Sequence, residues 1–525
     1  MTETLPSLIS AMAEPEFYPH GPAQVELRQT HISYVFLAGE YVYKVKKPVR
    51  FSFLDYSTRE RRLHFCREEV RLNRRLAPKV YLGVVPIYRS GEGFALGEDT
   101  VLADRTTVVE HAVKMRRLPE DRMLNRLVMD RIAGKEDIRA LVNLLVPFHR
   151  SAATERASLY GTPEAIRRRI TDNFAETRDF IGRTIREKMF NRIQEYSLGF
   201  LAERASLLQD RVRDQKVREG HGDLRTEHVC VGDEIVVFDC IEFDERLRYC
   251  DVASEVAFLA MDLDFLGEPE LSECLAREYA ETGDDELLSL LLPFYKSYRA
   301  YVRGKVESLK AQEQEVPEAG REKASAEARR YFRLAYRYAR GAPKAAMLIV
   351  CGMIATGKST VARMLSDLTG FRVISSDVVR KRLAQIPLSE RVTERYRGGI
   401  YSDAFTQLTY HTLLEEAETC LKTGRGVIID ATFKKSEHRR VFMGRAADLG
   451  IPVFFLECQA RQEELFRRLK QREEETGQIS DADWQVYLRQ RDEFKPFTDI
   501  PDQIHLTVNT EADLPDSIER LVESF

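Results

Sequence analysis

No cysteine of this 525-residue chain stands in a Cys-x-x-Cys pair. Zinc ribbons and thiol-redox motifs need that spacing, so neither is expected from Cys66, Cys230, Cys240, Cys250, Cys274, Cys351, Cys420 and Cys458. Several of these lie inside apolar runs such as Val229-Cys230-Val231, which reads as reduced, buried thiols of a cytoplasmic protein. Long apolar runs are missing too. No stretch reaches the roughly 20 residues that a membrane helix needs, so no membrane partner is expected. The first residues lack the basic start and apolar segment of a secretory leader. The net charge of −4 gives no overall pull toward nucleic acid or anionic lipid, and only a local basic groove would serve such a partner. No internal repeat is found. What is present, 43% hydrophobic and 31% charged residues, fits a globular protein, and the length calls for two or three domains.

The most informative segment is Gly352-Met353-Ile354-Ala355-Thr356-Gly357-Lys358-Ser359-Thr360. It follows the apolar run Ala346 to Cys351 and precedes the helical pattern Val361-Ala362-Arg363-Met364-Leu365. Strand, glycine loop and helix in that order make a phosphate cradle, with backbone N–H groups turned inward and the positive helix end behind them. Lys358 can reach the β- and γ-phosphates of ATP, and Ser359 can offer its hydroxyl to Mg²⁺. A plain glycine turn between core elements has no need of Lys-Ser after its second glycine.

The clearest boundary lies near residues 306–344, which are polar and charged and end at Gly341-Ala342-Pro343. This predicts a domain over 1–305, a charged helical linker over 306–344 and a P-loop domain over 345–525. The first part opens with three predicted strands, Val25 to Gln29, Ser33 to Ala38 and Tyr41 to Lys46, with a turn at Gly39-Glu40. A helix over Thr58 to Leu76 follows, then strand-like stretches at Tyr81 to Tyr88 and Val108 to Arg116. The pattern is mostly helical from Arg122 to Gln209, β-rich again over Glu219 to Phe243, and helical from Val252 to Lys310. A small β-rich lobe before a mainly helical lobe with a β insert is an α+β, protein-kinase-like layout.

Within the β insert, His221-Gly222-Asp223-Leu224-Arg225-Thr226-Glu227-His228 precedes two short strands, and the second ends in Asp239. One loop aspartate and one strand-end aspartate suit phosphoryl transfer: the first takes the acceptor proton, the second holds Mg²⁺. The His-Gly-Asp-Leu loop and Phe238-Asp239-Cys240-Ile241-Glu242 resemble the aminoglycoside phosphotransferase and choline kinase branch of kinase-like enzymes over residues 20–305. The resemblance implies Asp223 as catalytic base, Asp239 as metal ligand, and Lys44 on the third strand against the ATP phosphates. It implies Glu69, or its neighbour Glu68, as the holder of that lysine, and Asp251 as a structural aspartate. Lys44 also reads as an ordinary strand lysine. His228 stands where the family usually has Asn, five residues after the catalytic Asp, and a ring nitrogen is a softer ligand for the metal. Arg225 stands where a smaller or neutral residue is common, and no glycine-rich loop occurs between the first strands. The helix Phe294 to Arg303 alternates aromatic and basic residues and reads as an acceptor-site wall or an amphipathic core helix.

In the last part, Phe371 to Asp377 reads as a strand ending in Asp, with Arg380 one helical turn on. Asp377 either accepts an acceptor proton or caps the next helix, and Arg380 can hold an acceptor phosphate. Gly426 to Asp430 reads as a buried parallel strand whose Asp430 supports Mg²⁺ or orients Ser359. Arg468 and Arg472 share a helix face and form either a lid over the triphosphate or a solvated surface. Gly-x4-Gly-Lys-Ser, Ser-Asp-x-x-Arg, Ile-Asp-Ala-Thr and Arg-Leu-x-x-Arg together resemble polynucleotide kinase and zeta-toxin-like P-loop kinases over residues 346–475. This implies an α/β P-loop NTPase domain with a parallel sheet. The fusion of the two domains resembles bacterial bifunctional phosphotransferase/ATP-binding proteins. It implies an ATP- and Mg²⁺-dependent kinase acting on a hydroxyl acceptor, a small molecule or a nucleic acid. One alternative is a nucleic-acid end kinase with a basic groove near Arg380, Arg395, Arg397, Arg439 and Arg440. The other is an ATP-driven switch acting on a degenerate kinase-like binding module.

Overall fold

The computed structural model describes residues 4–51, 54–90, 93–97, 107–314, 316–341, 344–387, 399–474, 484, 487–488, 491, 494, 496–511 and 514–523. The chain forms two compact units, Met1–Ala335 and Tyr336–Phe525.

The first unit begins with helix α1 (Thr4–Met12) and strands β1 (Val25–Gln29), β2 (Ser33–Ala38) and β3 (Tyr41–Lys46). Helix α2 (Arg59–Asn73) follows, then β4 (Tyr81–Ser90), β5 (Gly93–Leu96) and β6 (Thr107–Arg116). The six strands make one antiparallel sheet in the order β1-β2-β3-β6-β4-β5. Period-two alternation gives the sheet two apolar faces. Phe36, Tyr43, Val45 and Ile87 pack with Leu8 and Met12 of α1 on one face. Leu37, Val42, Val113 and Met115 pack with Cys66 and Val70 of α2 on the other. Thr58 caps α2 by accepting the N–H of Arg61. The periodicity did not predict α1, β5, a short hairpin pairing Arg50–Phe51 with Leu54–Asp55, or a two-strand ribbon pairing Val217–Glu219 with Tyr249–Asp251.

The helical part of the unit surrounds the hairpin β7 (Val229–Val231) and β8 (Ile235–Val237) and the helix α3 (Val252–Phe265). Residues Val252 to Leu263 of α3 are all buried, with Ser254, Glu255 and Asp262 the polar members among apolar neighbours. Helix α4 (Leu288–Lys310) packs beside it, and helix α5 (Glu318–Arg340) runs through most of the segment expected as a charged linker. Ala324, Ala328, Tyr331, Phe332 and Ala335 of α5 are buried, a stripe at helical spacing hidden in sequence by the charged residues between them. Tyr331 stacks on Phe265 with ring centroids 3.8 Å apart, and Phe332 meets Tyr301 edge-on. Gly304 of α4 leaves the space for Phe332: a Cβ there would stand 2.8 Å from the ring. Gly304→Ala is therefore expected to lower stability by about 1–3 kcal/mol through overpacking, read as a drop in the urea midpoint at unchanged m-value.

The second unit holds β9 (Met347–Cys351), α6 (Lys358–Thr369), β10 (Arg372–Ser375), α7 (Ser376–Leu383), α8 (Asp403–Lys422) and β11 (Val427–Asp430). It continues with α9 (Ser436–Asp448), β12 (Val453–Gln459), α10 (Gln462–Glu474), β13 (His505–Asn509) and α11 (Leu514–Glu523). Its five strands are all parallel, in the order β10-β11-β9-β12-β13. Every residue of β9 and β11 is buried, which explains their unbroken apolar runs. The strand order reverses beside β9, so the crevice beyond its carboxyl end opens at the glycine loop.

The eight cysteines are all buried and none forms a disulfide. No helix among the described residues is long and apolar enough to cross a membrane.

Candidate functional sites

In the first unit, the alternation of β3 turns Val42, Lys44 and Lys46 toward α2. Lys44 Nζ lies 2.9 Å from Glu69 Oε1 and 2.8 Å from Asp239 Oδ1. Glu68 instead pairs with Arg71 on the outer face of α2. Lys46 is fully buried, with its Nζ 2.7 Å from Glu69 Oε2 and bonded to Glu242. Glu242 also accepts the Tyr56 hydroxyl at 2.5 Å. Burial alone would raise the Glu69 carboxyl; Lys44 and Lys46 outweigh it and hold the group below its ordinary range. Asp239 is likewise held well down, burial being outweighed by Lys44 and His228. Its backbone is left-handed, with φ of +63°, a conformation that a non-glycine residue keeps only when its surroundings impose it. Those surroundings are on either side: Tyr81 OH takes the Asp239 N–H at 3.2 Å, and Asn73 Oδ1 takes the Cys240 N–H at 2.9 Å.

The loop from His221 to His228 is anchored from below. Glu255 of α3 accepts the N–H groups of His221 at 2.5 Å and Gly222 at 2.8 Å, and Asp262 accepts the N–H of Thr226 at 2.9 Å. From just beyond α2, Arg75 bonds the carbonyls of Glu219 and Gly220 at 2.6 and 2.8 Å. Asp251 serves the scaffold, capping α3 through the Ala253 N–H and pairing with Arg211 at 2.6 Å. Asp223 keeps a partly exposed carboxylate, with Arg225 Nε 3.5 Å and His228 Nδ1 3.6 Å away. Burial would raise this carboxyl, but Arg225, His228 and Arg303 bring it below its usual value. His228 Nδ1–H donates to the Asp223 carbonyl at 2.8 Å, which leaves Nε2 facing Asp239 Oδ2 at 3.7 Å. Lys44, Glu69, Asp223, His228 and Asp239 are thus brought together. Lys46, Asn73, Glu242, Glu255 and Asp262 were given no role by the sequence reading. Lys46 alone left a signal, two residues beyond Lys44 on the same strand face.

In the second unit, the loop from Gly352 to Gly357 curls at three left-handed positions, with φ of +127° at Gly352, +61° at Ala355 and +88° at Gly357. Lys358 Nζ donates to the Met353 carbonyl across the loop at 2.8 Å, as does Thr356 Oγ1 at 2.7 Å. Ser359 Oγ donates to Asp430 Oδ2 at 2.7 Å, joining the loop to the end of β11. Leu465 and Leu469 of α10 pack on Ile354 and Ala355. From the same helix, Arg468 bonds the Ala355 carbonyl at 3.3 Å and the Thr510 carbonyl at 3.0 Å. Arg472 lies on α10, with its side chain outside the described residues.

Two sequence expectations need correction. β10 ends at Ser375, so Asp377 is neither a strand end nor a cap; it lies in the first turn of α7, where a negative charge suits the helix dipole. Arg380 is buried against the chain, bonding the Ile400 carbonyl at 2.5 Å and lying over the Tyr401 ring. Arg439 is fully buried on Asp499 and the Phe433 carbonyl, which removes two cations from the expected basic groove. Arg395 and Arg397 lie outside the described residues. Among the described residues no three His, Cys, Asp or Glu side chains form a metal cage. Mg²⁺ bound with phosphates asks for only one or two carboxylates.

A Cβ at Gly352 would stand 2.6 Å from the Cys458 carbonyl oxygen. Gly352→Ala thus adds a backbone clash to a strained φ. It is expected to cost about 1–3 kcal/mol and to weaken nucleotide binding at this loop, checked by thermal melting with and without Mg²⁺–ATP.

Residues 347–497 match the family model described as AAA domain. The chain is 32% identical over 460 residues to Uncharacterized protein Rv2004c of Mycobacterium tuberculosis, strain H37Rv, covering 87% of this chain and 88% of that protein. The same figures hold for Uncharacterized protein Mb2027c of Mycobacterium bovis. Among solved structures, the Mycobacterium tuberculosis APS kinase CysC in complex with AMPPNP and APS aligns with 34% of this chain and 97% of its own, at 19% identity and TM-score 0.24. A likeness of that size has no functional content. The 460-residue match is longer than either compact unit, so it reaches into both. The chain therefore belongs to the family of the mycobacterial protein Rv2004c, and its second unit carries a P-loop of the AAA-domain kind.

Proposed function

We propose that the protein is an ATP-dependent phosphotransferase that moves the γ-phosphate to a hydroxyl acceptor, with nucleotide sites in both units. The observation that carries this reading is the 2.7 Å bond from Ser359 to Asp430 at the end of a loop held at three left-handed positions. A core turn needs neither that hydroxyl–carboxylate pair nor an adjacent lysine. The residues fit Mg²⁺–ATP: the loop closes on itself where only glycine has room, and Ser359 and Asp430 present oxygen donors. Bound Mg²⁺ would neutralise charge on the phosphates. Lys358 would exchange the Met353 carbonyl for a phosphate, and Arg468 would close the loop from α10. Asp377 stays the candidate for the acceptor proton, with Arg472 beside Arg468 on the lid and Arg380 holding the acceptor-side chain in place.

In the first unit the same chemistry falls to a kinase-like site. Lys44, steadied by Glu69, would meet the phosphates. Asp239 and the Nε2 of His228 would hold the metal. Asp223, ionised at neutral pH, would accept the proton of the incoming hydroxyl.

Transfer from γ-labelled ATP, screened over sugars, small alcohols and oligonucleotide ends, tests the proposal. Loss only in Lys358→Ala assigns the chemistry to the second unit, and loss only in Asp223→Asn to the first. ATP turnover without any labelled acceptor replaces the reading with an ATP-driven switch on a binding module. Absence of both turnover and transfer removes it.

A further inference from the structure

We propose that Lys46 is a positioning residue for the metal-binding aspartate of the first unit, a permanent strut that leaves Lys44 free to change partners. This rests on the nucleotide reading of that unit. The two lysines stand two residues apart on one face of β3 and share one carboxylate, Glu69. Their second partners both come from the loop after β8: Asp239 for Lys44, Glu242 for Lys46. The result is a closed ring, Asp239–Lys44–Glu69–Lys46–Glu242, whose ends are joined by three peptide units of the chain.

The two arms of the ring differ in exposure. The Asp239 side chain is 43% exposed and the Lys44 side chain 13%, whereas Lys46, Glu69 and Glu242 are 0%, 0% and 5%. Water and ligand reach the first arm only. Lys44 satisfies Asp239 directly. Phosphate and metal would separate that pair, since a lysine reaching phosphate cannot also neutralise the metal's carboxylate. Were Lys44 the only link from β3 to the loop, binding would cut the loop loose. Lys46 keeps it attached, because its ammonium lies between two buried carboxylates and over the Tyr56 ring at 4.9 Å. Parting from it would leave Glu242 buried with only the Tyr56 hydroxyl, and Glu69 with only Lys44, the lysine that a phosphate would draw away. Asn73 works with this strut. Its Oδ1 holds the Cys240 N–H, its Nδ2 donates to the Glu69 carbonyl at 2.9 Å, and so α2 grips the left-handed turn at Asp239 from the other side. Helix, strand and loop are thereby fixed in one arrangement.

The expected signature is a loss of the metal's contribution to nucleotide affinity rather than of affinity in general. Calorimetry is done on the full chain carrying Lys358→Ala, so that only the first unit binds, with ATP in the presence of Mg²⁺ and with ATP plus a chelator. Lys46→Met, at a temperature where circular dichroism shows it folded, is expected to cut the ratio of the two affinities at least tenfold. Lys46→Arg keeps a cation between Glu69 and Glu242 and is expected to restore most of it. If Lys46→Met lowers the melting temperature but leaves the ratio unchanged, Lys46 is only structural and the inference is overturned while the nucleotide reading stands. If the Lys358→Ala chain with Lys46 intact binds no ATP in either condition, the nucleotide reading of this unit fails and takes the inference with it. Should Lys46→Met prove unfolded, Glu242→Gln supplies the same measurement: an unchanged ratio overturns the strut and a tenfold fall supports it.

Discussion

Lys358→Ala is expected to weaken Mg²⁺–ATP binding at the second unit by about a hundredfold, and to leave the site proposed for the first unit untouched. The reason is local. Lys358 begins α6 and already reaches back over the loop to the Met353 carbonyl, the place a terminal phosphate would take. Removing a charged partner from a desolvated phosphate site costs about 2–5 kcal/mol, roughly thirtyfold to five-thousandfold, and a hundredfold (about 2.7 kcal/mol) lies within that range. Alanine leaves α6 intact, because a first-turn lysine contributes nothing that alanine's helix propensity does not match. Calorimetry should therefore pass from two bound nucleotides to one. Lys44→Met is the converse variant and should remove the other. Two nucleotides still bound to Lys358→Ala, at unchanged affinity, would contradict the assignment of the loop.

Glu255→Gln is expected to destabilise the first unit by about 3–5 kcal/mol at neutral pH, the range for breaking a buried charged pair by removing one partner. Glu255 is fully buried and accepts two backbone N–H groups from the loop that carries Asp223. His149 stands 3.8 Å away and Arg299 3.9 Å away. Burial would push this carboxyl up, but His149, His221 and Arg299 prevail and bring it from 4.5 down to about 2. The direction fixes the pH dependence. A carboxyl lowered in the folded state stabilises fully above its unfolded value and loses that contribution as pH falls through its folded value. The gap between wild type and Glu255→Gln should thus be constant above roughly pH 5 and shrink as pH falls from about 4.5 toward 2. Urea unfolding at a series of pH values measures it. A gap that widens in acid would refute the ionised state of Glu255. Because the glutamine keeps the shape but can misdirect one N–H toward another, the phosphoryl transfer proposed for the first unit should fall as well.

The sequence reading reached furthest where the physics is short-range. β1, β2 and β3 were placed to the residue, because period-two burial and the Gly39 turn are written in consecutive positions. The glycine loop was legible for the same reason: left-handed backbone at Gly352 and Gly357 needs glycine, and the phosphate donors are neighbours in the chain. Asp430 was reached through its strand, and the bond to Ser359 agrees with one of its two expected roles. The reading stopped where a side chain's partner is far away. Arg380 and Arg439 look like surface cations in sequence, yet both turn inward to carbonyls that only the folded chain supplies. The charged segment 306–344 concealed a buried stripe, since Phe332 shows its role only against Tyr301 and Gly304.

By itself the sequence determined the order of most elements and the glycine loop of the second unit. These follow from backbone conformations and hydrogen bonds closed within a few residues. Tertiary structure alone decided which of two adjacent glutamates meets Lys44, that Lys46 is buried between Glu69 and Glu242, and that Asn73 holds the turn after Asp239 across 167 residues of chain. Pairings of that span depend on where burial strips water from a charge, and a one-dimensional pattern carries no record of it.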